Sequence, residues 1–175
     1  MGWNTPATWS VNEQVTASKM TQQIYDNMTW LGAPPRAALS GTLTIPSGST
    51  FATPSSGSWS GKAAGGLYVG STSYYLQAPV AGVYIVTATA IFSTSATGKR
   101  GIALSSSAAG GGTIHAEAQT EPVPNTEVTA LSVAAVVDLA AFANVHIGIR
   151  QSSGSNMSVG VRFGGVWQGT AGSTV

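Results

Sequence analysis

Residues 67–175 alternate between apolar and other side chains, and this alternation constrains the fold more than any other feature of the chain. A period of two is the side-chain period of a β-strand. In residues 82–92, one set of alternate positions runs from Tyr84 to Phe92, and the other set includes Ile85. Because both sets are apolar, we expect this strand to lie centrally in a β-sandwich or against a neighbour.

Turn residues divide the same region into eight candidate strands. Glycine, proline and asparagine cluster between them, for example at 110–112 and 122–125. The candidates are 67–69, 74–77, 82–92, 100–105, 113–120, 128–139, 145–151 and 159–168. Many short strands at regular spacing predict a β-sandwich, and the jelly roll is its common eight-stranded form.

The first 36 residues have a different pattern, which predicts one amphipathic helix over 17–31. Thr16 is a candidate N-cap, and Gly32 followed by two prolines ends the helix. The apolar positions at helical spacing are Met20, Ile24, Met28 and Leu31. A lone helix of this length is marginal in water, so we expect it to dock on another surface.

Residues 37–66 are rich in Ser, Gly, Thr and Ala and predict a connector with short strands. Residues 39–45 alternate as a strand would, and 50–53 form a second, shorter candidate. A flexible linker is the alternative interpretation. The predicted organisation is therefore an attachment arm and helix (1–36), a connector (37–66) and a jelly-roll β-sandwich domain (67–175).

Charged residues make up only 7% of the chain, and its net charge is +1. An ordinary soluble domain has about 25%. So few charges argue against a nucleic-acid-binding protein, which needs a basic stripe. A hydrophobic content of 43% argues against intrinsic disorder. We interpret the weakly charged surface as one that is largely buried between subunits.

Three further classes are disfavoured by the composition. The absence of cysteine excludes disulfides, thiol nucleophiles and cysteine-ligated metals. Residues 1–14 lack the basic and apolar regions of a signal peptide. The apolar stretch 128–149 carries Asp138 in its middle, which would cost about 2.5–3.5 kcal/mol in a membrane, and its period of two favours strands. We therefore expect no membrane insertion.

No residues have the spacing of a catalytic site. A Ser–His–Asp arrangement would have to use His115 or His146, with Asp138 as an acid near His146 in sequence. His115 and Glu117 lie two residues apart on a candidate strand, which predicts a hydrogen-bonded surface pair rather than half of a metal site. We therefore expect no enzymatic activity, no bound metal and no cofactor.

Aromatic and basic residues are the remaining candidates for binding. Trp59, Tyr74 and Tyr75 are candidate glycan contacts, and packing in the core or in an interface is the alternative for each. The only basic pair, Lys99 and Arg100, lies between two glycines and is predicted at a solvated hairpin tip.

Residues 8–35 resemble the amino-terminal segment of virion proteins of tailed phages, particularly phages of actinobacteria. The shared pattern is a short aromatic strand, an entry ending in Val-Thr-Ala, a helix with an Ile-x-Asp-Asn core, an aromatic–leucine end and two prolines. Here these motifs are Thr8-Trp9, Asn12-Glu13-Gln14-Val15-Thr16-Ala17, Lys19-Met20-Thr21, Ile24-Tyr25-Asp26-Asn27, Trp30-Leu31 and Pro34-Pro35. Tyr25 stands where the family often has arginine. The resemblance implies a virion structural protein.

A second stretch is similar to the entry strand of the C1q/TNF-like jelly rolls. It reads Leu76-Gln77-Ala78-Pro79-Val80-Ala81-Gly82-Val83-Tyr84, with the Pro-x-x-Gly-x-Tyr spacing of that family. Residues 139–149, 151–154 and 163–166 are similar to its final strands, although Ala143-Asn144 stands where the family often has Gly-Asp. Because these domains form tight homotrimers, the resemblance implies a homotrimer.

Together these features predict a mainly β chain, a C1q/TNF-like jelly-roll sandwich preceded by an N-terminal arm with one amphipathic helix. The expected function is that of a non-enzymatic, homotrimeric virion component, made in the host cytoplasm and attached by its N-terminal segment. A minor tail protein or fibre-like appendage is the first expectation, and a capsid decoration or head fibre is the second. The partners would be its own copies and other virion proteins.

The residues expected to dock on the virion or on other subunits are Trp3, Trp9, Met20, Ile24, Met28 and Leu31. The alternative function is an adhesin module that binds a carbohydrate or a receptor on the host surface. An enzyme such as a glycosidase or an esterase is the least favoured class.

Overall fold

The computed structural model describes residues 14, 16–48, 50–52, 59–67, 75–122 and 127–170. Within these residues, nine strands form two antiparallel sheets that face each other across one apolar core. The strands are β1 (Arg36–Ile45), β2 (Trp59–Ala64), β3 (Tyr75–Gln77), β4 (Gly82–Phe92), β5 (Arg100–Ser105), β6 (Ile114–Thr120), β7 (Thr129–Leu139), β8 (Asn144–Gln151) and β9 (Met157–Gly169).

The strand order identifies the sandwich as a jelly roll. The five-stranded sheet has the order β2-β1-β9-β4-β7, and the four-stranded sheet has the order β3-β8-β5-β6. The antiparallel pairs β3–β8, β4–β7 and β5–β6 are nested within one another along the chain. Such nesting across two sheets is the winding of a jelly roll, so the predicted fold class is confirmed.

Most predicted strands are present within two residues of their expected ends. The strands at 82–92 and 100–105 have the predicted bounds, and the apolar stretch 128–149 forms most of β7 and β8. The candidate 67–69 is the exception. Leu67 is buried outside any strand, and the two residues after it lie outside the described residues. No helix in the described part of the chain is long and apolar enough to span a membrane.

The structure differs from the predicted domain organisation at residues 37–66. β1 lies between β2 and β9 in the five-stranded sheet, so these residues form part of the sandwich and the sandwich begins at Arg36. Alternate residues of β1, including Leu39 and Leu43, fill the core. The intervening serines and threonines face outward, so the strand predicted at 39–45 is present but belongs to the sandwich and not to a connector. Ala52 forms a bridge with Ile149 of β8.

The N-terminal helix is present as predicted, with a π-helical turn inside it. It consists of α1 (Ala17–Met20), the turn Thr21–Tyr25 and α2 (Asp26–Gly32). The Thr16 hydroxyl accepts a hydrogen bond from the Lys19 backbone N–H at 3.3 Å, which is the expected N-cap. At the other end, the Trp167 N–H donates to the Pro35 carbonyl at 2.9 Å and ties the chain after the helix to β9.

Two large polar side chains are fully buried at the end of the sandwich away from the helix. The Gln151 amide donates to the carbonyls of Ile45 and Ser155, at 3.0 and 2.7 Å. The Arg100 guanidinium donates to the carbonyls of Ser95 and Lys99 and lies over the Phe92 ring, 6.0 Å from its centroid.

The expected solvated tip is therefore wrong for Arg100. Lys99 is exposed and lies 3.5 Å from Glu121, but Arg100 begins β5 on the side that faces the core. Strand alternation places Ile102 and Leu104 on that same side, and all three side chains are fully buried. Burial lowers the pKa of the Arg100 guanidinium from its ordinary value.

Candidate subunit interface

The outward side of the five-stranded sheet, here called the outer face, consists mainly of small and apolar side chains. Across its middle, Ala38 pairs with Gly164, Gly164 pairs with Thr87, and Thr87 pairs with Ala134. The outward residues over the central part of four strands include Ala38, Ser40, Thr42, Ile85, Thr87, Thr89, Ile91, Ser132, Ala134, Val136, Gly160, Arg162 and Gly164. Such a surface is flat and allows another polypeptide to approach closely.

Two glycines of β9 open shallow grooves on either side of Arg162. The groove above Gly164 has a volume of about 370 Å³, and Thr87 and Arg162 line its sides. The groove above Gly160 has a volume of about 330 Å³, and Ile91 contributes to its wall. Because a glycine exposes its backbone, each groove can receive a side chain or an edge strand from a partner.

Hydroxyl groups lie on both sides of Arg162, on the neighbouring strands of the outer face. Ser40 and Ser60 lie with their hydroxyl oxygens 3.5 Å apart, and the hydroxyls of Thr89 and Ser132 lie 2.9 Å apart. Arg162 projects between these two pairs and is exposed. The centre of the face can therefore form polar as well as apolar contacts.

Large apolar side chains are exposed both on this face and on the helix that leads into it. Val136 is 71% exposed, and Met28 is 66% exposed. The predicted docking residues Met20, Ile24 and Leu31 are exposed as well. Single exposed apolar residues are ordinary, but several of them along one helix are typical of a protein–protein interaction site.

The helix buries a polar residue and exposes its apolar residues. Asn27 is the buried residue among the described side chains of the helix, with 7% of its surface exposed. The apolar stripe predicted from the sequence therefore lies uncovered in one copy of the chain. Trp3 and Trp9, the other predicted docking residues, lie outside the described residues.

Of the three candidate glycan contacts, Trp59 is excluded by its position. It begins β2 on the side facing the core, where its ring centroid lies 6.4 Å from that of Phe163, and it is buried. Tyr75 is half-buried on β3, with its ring centroid 5.1 Å from that of His146, and its role in glycan binding stays a prediction. Tyr74 lies outside the described residues.

The histidines are not placed in a catalytic arrangement. Asp138 lies in β7 and His146 in β8, which belong to different sheets. Among the described residues, Nδ1 of His146 and Nε2 of His115 are buried and have no hydrogen-bond partner, and burial lowers the pKa of His146. The expected hydrogen bond between His115 and Glu117 is not formed among the described residues, where the Glu117 carboxylate accepts from Gln119.

Metal binding has no support in the part of the chain that the structure describes. No three His, Asp or Glu side chains there lie close enough to hold an ion. The arrangement on the outer face is suited to association with another chain. Sequence reasoning missed this surface, although the alternation of Gly160, Arg162 and Gly164 with buried residues of β9 is a visible signal of it.

Comparison with solved structures gives the fold of this chain. Murine APRIL has a TM-score of 0.53 and 14% identity, covering 76% of this chain and 99% of that chain. Eiger TNF from S. frugiperda has a TM-score of 0.52 and 14% identity, covering 81% and 98%. The globular domain of zebrafish complement 1qA protein has a TM-score of 0.47 and 18% identity, too low a score to support an inference. No protein-family model and no curated protein matches the sequence.

Proposed function

We propose that this chain is a non-enzymatic structural component of a phage virion, homotrimeric through its sandwich and attached by its N-terminal segment. It is made in the host cytoplasm and incorporated during assembly, as a minor tail protein or fibre-like appendage, or else as a capsid decoration. The observation that carries the proposal is the uncovered outer face of the five-stranded sheet, which continues along the chain into a helix with an uncovered apolar stripe.

Self-association is supported by the character of this surface. Small residues on β1 and β9 let a partner approach the sheet backbone, and exposed Ile91 and Val136 supply apolar area. A chain with only 7% charged residues has a weakly solvated surface unless part of it is covered. The resemblance to C1q/TNF-like domains implies three copies, which would close a ring and leave no free face.

Attachment to a virion is supported by the resemblance of residues 8–35 to phage virion proteins and by the exposure of the helix. The helix is short, and its apolar stripe gains little from the protomer, so it needs an outside surface to be stable. Met28 has a flexible apolar side chain and Leu31 has a branched one, and both suit a contact with another protein surface. Trp3 and Trp9, upstream of the helix, would serve as aromatic anchors.

The native mass of the purified chain tests the trimer, and a face variant tests where the copies meet. Light scattering should give about three times 17.6 kDa for the unmodified protein. Thr87→Arg adds a long charged side chain at an exposed position in the middle of the outer face and should yield monomers. Asn156→Arg makes the same change at an exposed loop and should leave the trimer intact. A monomeric unmodified protein would refute the proposed assembly.

Deletion of residues 1–32 tests the attachment. The truncation removes the helix and leaves every described strand, so the sandwich should still fold and associate. Purified virions assembled with the truncated chain should lack it, whereas virions assembled with the full chain should contain it. Normal incorporation of the truncated chain would show that attachment does not use the N-terminal segment.

A further inference from the structure

A small pocket on the outward side of the four-stranded sheet is lined by two cations, and we call it the basic pocket. Its lining residues are Gly48, Lys99, Arg150 and Ser152, and its volume is about 190 Å³. That volume is the space of roughly six water molecules, so the pocket can hold one small ligand. It lies at the end of the sandwich away from the helix, where Lys99 precedes β5 and Ser152 follows β8.

The pairing of β5 with β8 brings the two cations together. Arg150 lies opposite Gly101, and Lys99 is the residue two positions before Gly101 on the same side of the sheet. Diagonal neighbours of this kind have Cα atoms about 7–8 Å apart. The Ser152 N–H donates to the Lys99 carbonyl at 3.1 Å, and the Lys99 N–H donates to the Ser152 hydroxyl at 2.8 Å. These two hydrogen bonds fix the backbone of the pocket beside both cations.

The Arg150 side chain is held in place by its neighbours. Its guanidinium carbon lies 4.9 Å from the centroid of the Phe51 ring. The side chain also crosses β5 at Gly101, where an added Cβ would lie 2.9 Å from both Cγ and Nε of Arg150. Phe51 is positioned in turn by the backbone bridge between Ala52 and Ile149. Because the guanidinium is positioned in advance, little side-chain freedom is lost when its planar donors bind an oxyanion.

Positive charge is concentrated around the basic pocket. The whole chain has only 7 lysines and arginines, and three of them are Lys99, Arg150 and the buried Arg100. Like charges side by side on a sheet are unfavourable, so this grouping indicates a ligand of opposite charge. Glu121 lies 3.5 Å from Lys99, and both side chains are well exposed. Such a pair contributes little to stability, so an incoming anion can replace Glu121.

We propose that the basic pocket binds one phosphate group, either as the free ion or as an ester on a larger molecule. The three cations exceed Glu121 by two charges, and a phosphate carries about −1.5 to −2 at pH 7. Its oxygens can accept two hydrogen bonds from Arg150 and others from Lys99. The Ser152 hydroxyl accepts from Lys99 and can donate its own proton to the ligand. A carboxylate would supply half the charge, and Arg150 alone would occupy both of its oxygens.

This inference goes beyond the proposed structural function and does not depend on it. The basic pocket belongs to the four-stranded sheet, whereas the proposed self-association uses the outer face of the five-stranded sheet. Each copy of the chain therefore carries its own pocket, and phosphate binding is expected from a monomer as well as from a trimer. Failure of phosphate binding would leave the proposed trimer and its attachment standing.

The alternative interpretation is that Glu121 and water satisfy these cations without a ligand. Glu117, another acid on this side of the sheet, lies two strands and two residues away from Arg150 and accepts its hydrogen bond from Gln119. Glu121 is therefore the carboxylate that competes with a ligand for Lys99 among the described residues. Its removal distinguishes the two interpretations, because it should strengthen the binding of an anion.

A titration with inorganic phosphate tests the site. The dissociation constant is measured from the NMR shifts of the Gly48 and Ser152 amides, at an ionic strength held near about 0.1 M with chloride. Lys99→Gln removes one charge of the pocket, and Arg150→Lys keeps the charge but loses the planar donors. Glu121→Gln removes the competing carboxylate. Lys19→Gln, which changes an exposed lysine of the helix, is the matched control.

Lys99→Gln and Arg150→Lys should each weaken phosphate binding by at least about fivefold, because each removes charge-assisted hydrogen bonds. Glu121→Gln should strengthen binding by about threefold, and Lys19→Gln should leave it unchanged. Lys99 and Glu121 are exposed, so their variants keep the test decisive if Arg150→Lys disturbs the packing against Phe51. The absence of a saturable shift, or equal binding by Lys99→Gln and the unmodified chain, would overturn the proposal.

Three further ligands define what the pocket recognises. Sulfate, a tetrahedral dianion, should compete with phosphate, and acetate should bind more weakly. Acetate that binds as tightly as phosphate would overturn the assignment to a phosphate group. Glucose 6-phosphate distinguishes the sources: binding at least about fivefold tighter than that of inorganic phosphate, through added hydrogen bonds from the sugar, would assign the pocket to an ester on a glycan. Equal binding would assign it to the free ion.

Discussion

Tyr84 shows how one buried polar group is accommodated in this core. Its side chain is fully buried, and its hydroxyl donates to the Val80 carbonyl at 2.7 Å. Burial raises the pKa of Tyr84 from 10.0 to about 12, although the hydrogen bond to Val80 acts in the opposite direction. Neutral tyrosine is therefore favoured by folding, and the ionised form is disfavoured.

We predict that the free energy of unfolding falls as the pH rises from about 10 to about 12. In that range the unfolded chain releases the Tyr84 proton before the folded chain does, so the folded state loses up to about 2–3 kcal/mol. Urea denaturation at several pH values, with Tyr84→Phe as the reference, measures the effect. The variant should lose about 1 kcal/mol at neutral pH through the missing hydrogen bond. If the free energy of unfolding of the variant fell as steeply over the same pH range, the effect could not be assigned to Tyr84.

The packing of the central strand β9 depends on its glycines, which have no side chain. A Cβ on Gly164 would lie 2.7 Å from the Ala37 carbonyl oxygen of β1, which is closer than real contacts allow. A Cβ on Gly160, four residues earlier on the same face, would meet Cβ of Ile91 at an ordinary 3.8 Å. The two glycines therefore look equivalent in sequence but differ in their surroundings.

We predict that Gly164→Ala lowers the free energy of unfolding by about 1–3 kcal/mol, because β1 or β9 must shift to accommodate the methyl group. Gly160→Ala, the matched control, should be neutral or stabilise the strand by up to about 1 kcal/mol. Denaturant unfolding at several protein concentrations separates folding from association. Equal effects of the two substitutions would show that the short distance from a Cβ at Gly164 to the Ala37 carbonyl oxygen does not determine stability.

At the scale of the whole molecule, the outer face of the sandwich and the apolar stripe of the helix are both uncovered in a single copy of the chain. The outer face and the helix stripe are joined through Pro35, whose carbonyl accepts a hydrogen bond from Trp167 in β9. Assembly that covers the outer face would therefore also gather the helices of neighbouring copies at one end. Stability and association should be linked in such a molecule.

We predict that the melting temperature rises with protein concentration. If three copies unfold together, a tenfold increase in concentration should raise it by about 2–4 °C for a chain of this size. Differential scanning calorimetry over a hundredfold concentration range provides the measurement. Thr87→Arg should melt at a lower temperature that is independent of concentration, and Asn156→Arg should behave like the unmodified chain. A melting temperature of the unmodified chain that does not change with concentration would argue against a folding-linked trimer.

The sequence by itself determined the positions of most strands, the N-terminal helix and its cap at Thr16. These features depend on local properties, because the side-chain period and capping preferences act over a few neighbouring residues. The β-sandwich class followed from the positions of the strands. A sheet of alternating strands has an apolar face, and a second layer must cover that face. The alternation also indicated a strand at 39–45, but it did not show that this strand, β1, belongs to the sandwich.

Only the tertiary structure decided which side of each strand faces the core and which strands are neighbours. Arg100 lies inside although a solvated hairpin tip was predicted for it, and burial decides between the two alternatives for Trp59, which packs in the core. β1 pairs with β9, more than a hundred residues later, and this pairing creates the outer face. The physical reason is that sheet pairing and burial depend on contacts between residues distant in sequence, which no local pattern specifies.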